Sequence, residues 1–253
     1  MLKVVGGSYL EICHFPHWHQ IYGSGGRAAA AVAHMCGRTQ LYTCIGKDRL
    51  ADLRGLAATS KFELKPTITP DTVSFEYFHG LSAPVIRPPI GTLGNRPKIK
   101  VEGGSILRYG MIEADAIVDG ERVVYDPQSV FSPELFASNG SKAANLAVVL
   151  NMSEGRKLTR RSTPEDVSRA ALKMLHADVV VLKQGAAGAL VVTKKGGKYV
   201  IPAYKTPSVF PIGSGDIFSA AFAAKWAVRR NSAVAAAQYA SLAAAYYCST
   251  KTL

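Results

Sequence analysis

Short apolar runs bounded by glycine or charged residues recur along this chain, and they constrain its fold more than any other feature. Residues 3–7, 146–151 and 178–185 carry apolar side chains at successive positions, as strands do when both of their faces are covered. Helix-like stretches separate the later runs, and such alternation produces parallel strands joined by crossover connections. The sequence therefore predicts a mainly parallel sheet with helices on both faces.

The helix signals are strongest in the second half of the chain. Residues 163–176 begin with Ser162 or Thr163 as N-cap and Pro164 in the first turn. Two shorter helix-like stretches, 132–136 and 142–149, flank a turn at residues 139–140. The alanine-rich run 231–250 predicts a buried helix, because it is too weakly apolar for a membrane span.

Residues 66–110 have a different composition from the rest of the chain. Six prolines lie among β-favouring pieces such as 72–79 and 96–103, which predicts strands and loops added to the main sheet as a cover. The chain has no internal repeat and no clear linker. We therefore expect the 253 residues to form one domain, with a β lid at about 8–24 and 72–110.

Charge limits the classes of binding partner, and the cysteine content bears on the cellular compartment. Thirty Lys and Arg against 18 Asp and Glu give a net charge of +12, which favours anionic partners such as nucleotides, phosphorylated metabolites or nucleic acid without choosing among them. The basic pairs are scattered and match no nucleic-acid module, so we expect neither nucleic acid nor a membrane as partner. The start of the chain lacks the apolar region of a signal peptide. The four cysteines have no CxxC spacing, which fits a reducing cytoplasm: Cys13, Cys36, Cys44 and Cys248.

The segment Gly213-Ser214-Gly215-Asp216 directly precedes an apolar helix and is the sharpest chemical feature. Two glycines let backbone amides converge at a helix start, where the helix dipole also favours an anion. A carboxylate beside such a nest can accept a proton while the amides stabilise a transferring phosphoryl group. The same four residues also fit an aspartate N-cap after a glycine turn, so both interpretations stay open.

Six segments in order resemble the ribokinase-like, or pfkB, family of carbohydrate and nucleoside kinases. They are GGSYLE, GSGGRAAAAVA, YDPQ, NMSE, LKQGAAGAL and PIGSGDIFSAAF, and they run from the first strand to the last helices. The resemblance implies a three-layer α/β/α sandwich with a mainly parallel central sheet and a small β lid. It also implies an ATP-dependent kinase that phosphorylates a hydroxyl of a sugar or a sugar-like molecule, or of a nucleoside.

By resemblance, Gly213, Ser214 and Gly215 supply the anion hole, and Asp216 is the base that activates the acceptor hydroxyl. The family's N-x-x-E element corresponds to residues 151–154, and its acid helps to organise Mg²⁺ through water. The residues implied at the ATP and Mg²⁺ side are Asn151, Glu154, Lys183, Gly185, Gly188 and Ser241.

On the acceptor side, the resemblance implies Glu11 from the first strand and the glycine pair Gly25 and Gly26. Arg27 follows that pair, and its guanidinium, with the lid cations at 87, 96, 98 and 100, fits either an acceptor with a phosphate or carboxylate or a solvated surface. The sequence departs from the family at Glu11, where an aspartate is usual, at Ala30, where an asparagine is usual, and at Phe210 and Pro211, where DT is usual. The last departure leaves a monovalent cation as an open question.

Three further features leave alternatives open. His14, His17 and His19 fit lid or acceptor-pocket contacts better than a metal site, because no acid or cysteine completes a familiar ligand spacing. The β-rich insertion permits a homodimer through the lid. The departures from the family's motifs also keep a second class in view, a nucleotide- or sugar-binding protein that has lost efficient catalysis.

Overall fold

The structure is a computed structural model and describes residues 1–94, 96–129 and 133–253. Its strands are β1 (Leu2–Val5), β2 (Leu10–Phe15), β3 (Trp18–Ile21), β4 (Thr39–Gly46), β5 (Glu63–Thr69), β6 (Ser74–His79), β7 (Val85–Arg87), β8 (Lys98–Tyr109), β9 (Asp115–Asp126), β10 (Lys142–Asn151), β11 (Val179–Lys183), β12 (Ala189–Thr193) and β13 (Lys198–Ile201).

Six α-helices occur within the described ranges: α1 (Gly23–Cys36), α2 (Leu50–Ser60), α3 (Met152–Thr159), α4 (Pro164–Met174), α5 (Ser214–Ala223) and α6 (Ala233–Thr250). Short 3₁₀ turns occupy Lys47–Arg49, Ile90–Thr92 and Gly185–Ala187, and a π-helical turn, Ala224–Val228, continues α5.

The large sheet has the strand order β13-β12-β11-β10-β9-β8-β1-β4-β5. Neighbouring strands are parallel from β11 to β5, whereas β12 runs antiparallel to both β11 and β13. Parallel strands carry their carboxyl ends to one edge, and ligands of open α/β sheets bind there. The mainly parallel sheet predicted from the apolar runs is confirmed.

Apolar residues on the two faces of this sheet form two separate cores. On one face, β-strand residues such as Val4 and Val149 pack against α1, α2, α5 and α6. On the other face, residues such as Val5 and Val148 pack against α3 and α4. Successive strand residues are therefore buried in opposite directions, which explains the uninterrupted apolar runs. The result is the predicted three-layer α/β/α sandwich.

Strands β8 and β9 bend back on themselves. They pair in parallel from Lys98 with Asp115 to Tyr109 with Asp126, with one interruption at Gly104, yet only residues 110–114 connect them. A straight 12-residue strand is roughly 40 Å long, and a connection this short reaches only roughly 20 Å. Both strands must therefore be sharply bent. The first and second halves of each strand pack together in the core that contains α3 and α4.

The lid is a separate four-stranded sheet of order β3-β2-β6-β7. It contains most of the predicted first lid segment, but the second segment ends earlier than the sequence predicts. Residues 98–109 form β8, which lies between β1 and β9 in the large sheet. The lid boundary at residue 110 is therefore wrong, because the β pattern of 98–103 belongs to a bent central strand.

Two helix expectations also need correction. Residues 142–149 form part of β10 rather than a helix. In the other stretch, residue 132 lies outside the described residues, and residues 133–136 form a loop and a turn rather than a helix. The helix α4 has Thr163 as its N-cap, with the Oγ atom accepting the Asp166 amide at 3.1 Å. The helix α6 is buried on one face only. In the described ranges, no helix is both long and apolar enough to cross a membrane.

Candidate active site

The start of α5 places the predicted catalytic loop at the carboxyl edge of the sheet. Gly213 precedes the helix with a φ of +81°, a conformation that favours glycine. A Cβ atom there would lie 2.2 Å from Nε of Arg27, so space also requires glycine. Gly213 is the N-cap residue and Asp216 lies in the first turn. The interpretation of Asp216 as an N-cap is therefore wrong.

Asp216 is buried, and both of its carboxylate oxygens are engaged. Oδ2 accepts a hydrogen bond from Nη1 of Arg27 at 2.9 Å, and Oδ1 accepts from Nε2 of Gln128. The hydroxyl of Tyr109 donates to the Asp216 carbonyl at 2.8 Å, which fixes the backbone. Burial raises the pKa of the Asp216 carboxyl, the Arg27 charge opposes that rise, and Glu11 adds to it.

Arg27 links the lid to the loop that carries Asp216. It lies in α1, is only 1% exposed, and makes a two-pronged ion pair with Glu11 of β2 in addition to its bond to Asp216. The Nε1 atom of Trp18 also donates to Glu11, at 3.4 Å. The predicted acceptor residues Glu11 and Arg27 are thus brought directly to the predicted base.

A second cluster lies at the ends of β9 and β11. Nζ of Lys183 is 2.8 Å from Oδ2 of Asp126, and the hydroxyl of Ser219 donates to the same oxygen at 2.6 Å. A Cβ atom on Gly215 would lie 3.4 Å from Nζ of Lys183, so the ammonium group faces the start of α5. The predicted donor-side lysine is therefore adjacent to the predicted anion hole.

Asn151 and Glu154 form a capping box at the start of α3. Oδ1 of Asn151 accepts the Glu154 amide at 2.9 Å, and Oε2 of Glu154 accepts the Asn151 amide at 2.8 Å. Burial and the nearby Asp126 charge raise the pKa of Glu154 to about 7, while Lys183 opposes the rise. The pair is thus a structural cap that also presents a titratable carboxyl to the site.

These groups surround a cavity of about 300 Å³. The predicted residues that line it are Glu11, Arg27, Asn151, Glu154, Lys183, Gly213, Gly215 and Asp216. Five lining residues with polar side chains were not assigned roles from the sequence: Tyr9, Tyr77, Asp126, Gln128 and Ser129. Two of these, Asp126 and Gln128, belong to the YDPQ segment at the end of β9, where a polar pair directly after an apolar strand could have indicated a site.

The glycine pair, Ser214 and three donor-side residues lie outside the lining of this cavity, and the Ser214 hydroxyl donates to the Pro211 carbonyl at 2.9 Å. A Cβ atom on Gly25 would lie 2.5 Å from the Gly6 carbonyl oxygen, so this glycine allows α1 to approach β1, and Gly26 lies next to it. Gly188 has a φ of +85° and packs on the Ile201 carbonyl. The other two residues are Gly185, in the turn after β11, and Ser241, whose hydroxyl donates to the Pro202 carbonyl at 2.7 Å.

The carboxylates fit a Mg²⁺ ion that is shared with a phosphate ligand. The cavity is lined by four carboxylates and two cations, and Oδ1 of Asp126 is buried with no hydrogen-bond partner in the described structure. No cluster of three or more His, Cys, Asp or Glu side chains in the described residues could hold a metal alone. A Mg²⁺ ion near Asp126 and Glu154 would therefore take its other ligands from phosphates and water.

The histidines of the lid lie apart from this centre. His14 pairs with Glu76 at 2.9 Å on the lid surface, and His17 and His19 are exposed. The lid cation Arg87 is 3.6 Å from the same glutamate. Arg96 lines a neighbouring cavity of about 280 Å³, which shares Gln128 with the active-site cavity.

The second half of the chain, which carries much of the cavity lining, matches a known protein family. The model of the pfkB family of carbohydrate kinases matches residues 127–252, which include Gln128, Glu154, Lys183 and the whole α5 loop. The resemblance of the sequence to the pfkB family is therefore confirmed. No curated protein matches the chain.

Solved pfkB-like structures share the fold at low sequence identity. An aminoimidazole riboside kinase from Salmonella enterica, complexed with aminoimidazole riboside and an ATP analogue, is 18% identical over 99% of this chain and 94% of its own, with a TM-score of 0.75. A fructokinase from Vibrio cholerae O395, with bound fructose, ADP and calcium, is 16% identical over 99% and 94%, with a TM-score of 0.72. A pyrophosphate-dependent kinase of the ribokinase family, complexed with a pyrophosphate analogue and myo-inositol, is 13% identical over 98% and 95%, with a TM-score of 0.65.

Proposed function

We propose that this protein is an ATP-dependent kinase that transfers the γ-phosphoryl group to a hydroxyl of a sugar or sugar-like small molecule. The position of Asp216 carries the proposal. Its carboxylate lines the cavity from the first turn of α5, where the leading amide groups of a helix have no intrahelical partners. A base and an anion-binding nest are therefore adjacent, as phosphoryl transfer requires.

The proposed reaction is an in-line displacement. The acceptor oxygen forms a bond to the γ-phosphorus while the bond from phosphorus to the bridging oxygen of ADP breaks, and the acceptor proton passes to Asp216. Arg27 and Gln128 each occupy one acceptor position of the carboxylate. A carboxylate has about four such positions, so Asp216 can still accept a hydrogen bond from the hydroxyl.

The donor phosphates are proposed to bind on the side of Asp216 that faces Lys183. Lys183 faces the start of α5, and its ammonium group can contact phosphate oxygens without leaving Asp126. Asp126 and Glu154 would hold a Mg²⁺ ion, which would neutralise part of the charge on the donor phosphates. The ATP-analogue and ADP complexes of the related folds support a nucleotide donor, and the pyrophosphate-dependent relative makes pyrophosphate the first donor to test beside it.

The acceptor belongs under the lid. Glu11 and Tyr77 extend from lid strands into the cavity, and a polar wall of carboxylate, guanidinium and phenol groups suits a polyhydroxy compound. A nucleoside is the alternative acceptor, in line with the riboside bound by one relative. An acceptor with a phosphate or carboxylate would meet Arg96 in the neighbouring cavity, because Arg27 is already paired with two carboxylates.

One observation favours a second candidate function. Arg27 occupies a hydrogen-bonding position on the proposed base, and a protein that only binds a nucleotide or sugar would tolerate such a contact. In that case donor and acceptor would bind without turnover above basal hydrolysis.

We further propose a homodimer through the lid in a cytoplasmic protein. Edge strands β3 and β7 leave backbone groups available for pairing, and the lid exposes apolar side chains, among them Phe15 and Phe78. All four cysteines are unpaired thiols, which suits a reducing compartment. Light scattering on the full chain and on Phe78→Asp would test the dimer, since a charge at the interface should yield monomers.

The function is tested by coupled ADP formation with Mg-ATP across sugars, sugar phosphates and nucleosides, with pyrophosphate as a parallel donor. An acceptor-dependent rate that disappears in Asp216→Asn supports the kinase. Acceptor and nucleotide binding by calorimetry, without acceptor-dependent turnover for either donor, supports the binding protein instead.

A further inference from the structure

Arg27 is the bulkiest side chain among the fully buried ones of the described residues. A guanidinium in such a place is costly unless carboxylates compensate its charge. Here Glu11 accepts from both Nη atoms and Asp216 accepts from Nη1. The rings of Tyr22 and Tyr247 lie 5.2 and 5.8 Å from the guanidinium carbon. The group is therefore fixed by charge and by packing.

The contact with Gly213 fixes the guanidinium against the catalytic loop. The space where a Cβ of Gly213 would stand is occupied by the Nε, Cζ and Cδ atoms of Arg27. The Nε atom is buried and has no hydrogen-bond partner in the described structure. Arg27 thus spans from the lid strand that carries Glu11 to the loop that carries Asp216, and all three side chains line the cavity.

We propose that Arg27 is the positioning residue of the base, and that it keeps the buried carboxylate of Asp216 charged and aimed at the acceptor. Without Arg27, the buried Asp216 carboxyl would face Glu11 with no cation in contact, so its pKa would rise and it would be a poorer acceptor for the proton of the hydroxyl. The inference rests on the proposed function for its catalytic meaning, but the charge of Asp216 can be measured without turnover.

Other groups face Asp216 from each element packed against it. Glu11 and Asp126 are negative and raise its pKa, whereas Gln128 lowers it by donating a hydrogen bond. Lys183 is positive and approaches from β11. The remaining titratable neighbours are phenols whose pKa values burial raises, so they stay neutral: Tyr9, Tyr77, Tyr109 and Tyr247. Arg27 is the cation in direct contact with the carboxylate.

The test is a carboxyl ¹³C NMR titration of the full chain labelled at aspartate, with the Asp216 signal assigned by its absence in Asp216→Asn. Two neighbouring carboxylates titrate as a pair, so Glu11→Gln serves as the reference background. We expect Arg27→Gln in that background to raise the titration midpoint of Asp216 by one pH unit or more, since an adjacent opposite charge shifts a carboxyl by about 1–3 units. An unchanged midpoint would overturn the proposal.

Arg27→Lys keeps the charge and loses the two-pronged geometry. In the Glu11→Gln background it should leave the midpoint of Asp216 within about half a unit of the reference. In the wild-type background it should lower kcat by tenfold or more. The pH at which kcat falls on the acid side should stay unchanged. If Arg27→Gln does not fold, Arg27→Lys decides: full kcat, or a midpoint raised by a unit, would contradict the proposal.

The same samples separate this inference from the proposed function. A protein without kinase activity on any acceptor would overturn the function, yet its Asp216 midpoint would still shift on removal of Arg27. An active enzyme with an Arg27-independent midpoint would overturn the inference alone. Gln128→Ala is the matched control, because it removes the other hydrogen bond to Asp216 without a change of charge, and its midpoint should move by less than that of Arg27→Gln.

Discussion

The ammonium nitrogen of Lys183 lies 2.8 Å from Oδ2 of Asp126, which is itself fully buried. Lys183 keeps its charge because Asp126 and Glu154 offset the cost of burial. The pair connects β9 to β11 beside the start of α5, so one contact supports both the sheet edge and the place where the donor phosphates are proposed to bind.

Lys183→Met should destabilise the protein and weaken nucleotide binding. Removal of one member of a buried pair typically costs about 3–5 kcal/mol, because the other charge is left unpaired. Chemical denaturation measures the first effect and calorimetry with an ATP analogue the second. Lys194→Met is the control, since Lys194 pairs with Asp178 at the surface and such pairs are worth about 1 kcal/mol or less. Equal losses from both variants would contradict the assignment.

Gly213→Ala should abolish activity and lower stability. An alanine at this position would have to adopt the left-handed backbone conformation of Gly213, which is unfavourable for it, and its methyl group would displace Arg27 from Asp216. Gly196→Ala is the matched control, because Gly196 has a φ of +89° and nothing within 4 Å of a Cβ atom. It should cost about 1–2 kcal/mol of unfolding free energy and leave kcat unchanged. Thermal unfolding and steady-state assays on both variants measure these losses. A loss of activity in Gly196→Ala as large as that in Gly213→Ala would contradict the prediction.

Glu154 should make stability fall as the pH rises. Its pKa is about 7 in the folded protein against an ordinary 4.5, so between those values the unfolded chain has lost a proton that the folded protein keeps. The stabilising effect of that proton is present below pH 4.5 and disappears by pH 7, which amounts to about 3 kcal/mol. Chemical denaturation at pH 5 and pH 8 measures the free energy of unfolding at each pH. The difference between the two values should be smaller in Glu154→Gln than in the wild type.

Glu113 separates stability from function in the same experiment. Burial raises its pKa to about 7 as well, but it lies in the β8–β9 connection and does not line the active-site cavity. Glu113→Gln should reduce the pH dependence of stability as Glu154→Gln does. Only Glu154→Gln should change the Mg²⁺ concentration required for half-maximal activity, and a change in Glu113→Gln would contradict the proposed metal position.

Local signals explain why the sequence located much of the site. The glycines before Asp216, the N-x-x-E capping box and the strand end at Lys183 each occupy a few consecutive residues with a specific geometry. The bend of β8 and β9 is marked locally only by glycines in the middle of the two strands, at 103, 104 and 120. Those glycines do not indicate that both strands belong to the central sheet. The Arg27–Asp216 contact joins residues 189 positions apart, and nothing local in either segment indicates that the two meet. The helix predicted at residues 142–149 is a strand, because a short apolar run fits both structures.

The most direct test is the turnover of wild type and Asp216→Asn, measured in parallel with Mg-ATP and the best acceptor. Loss of the base should reduce kcat by about two or more orders of magnitude, with nucleotide affinity unchanged because the donor side of the cavity is intact. Near-normal turnover in Asp216→Asn would contradict the account.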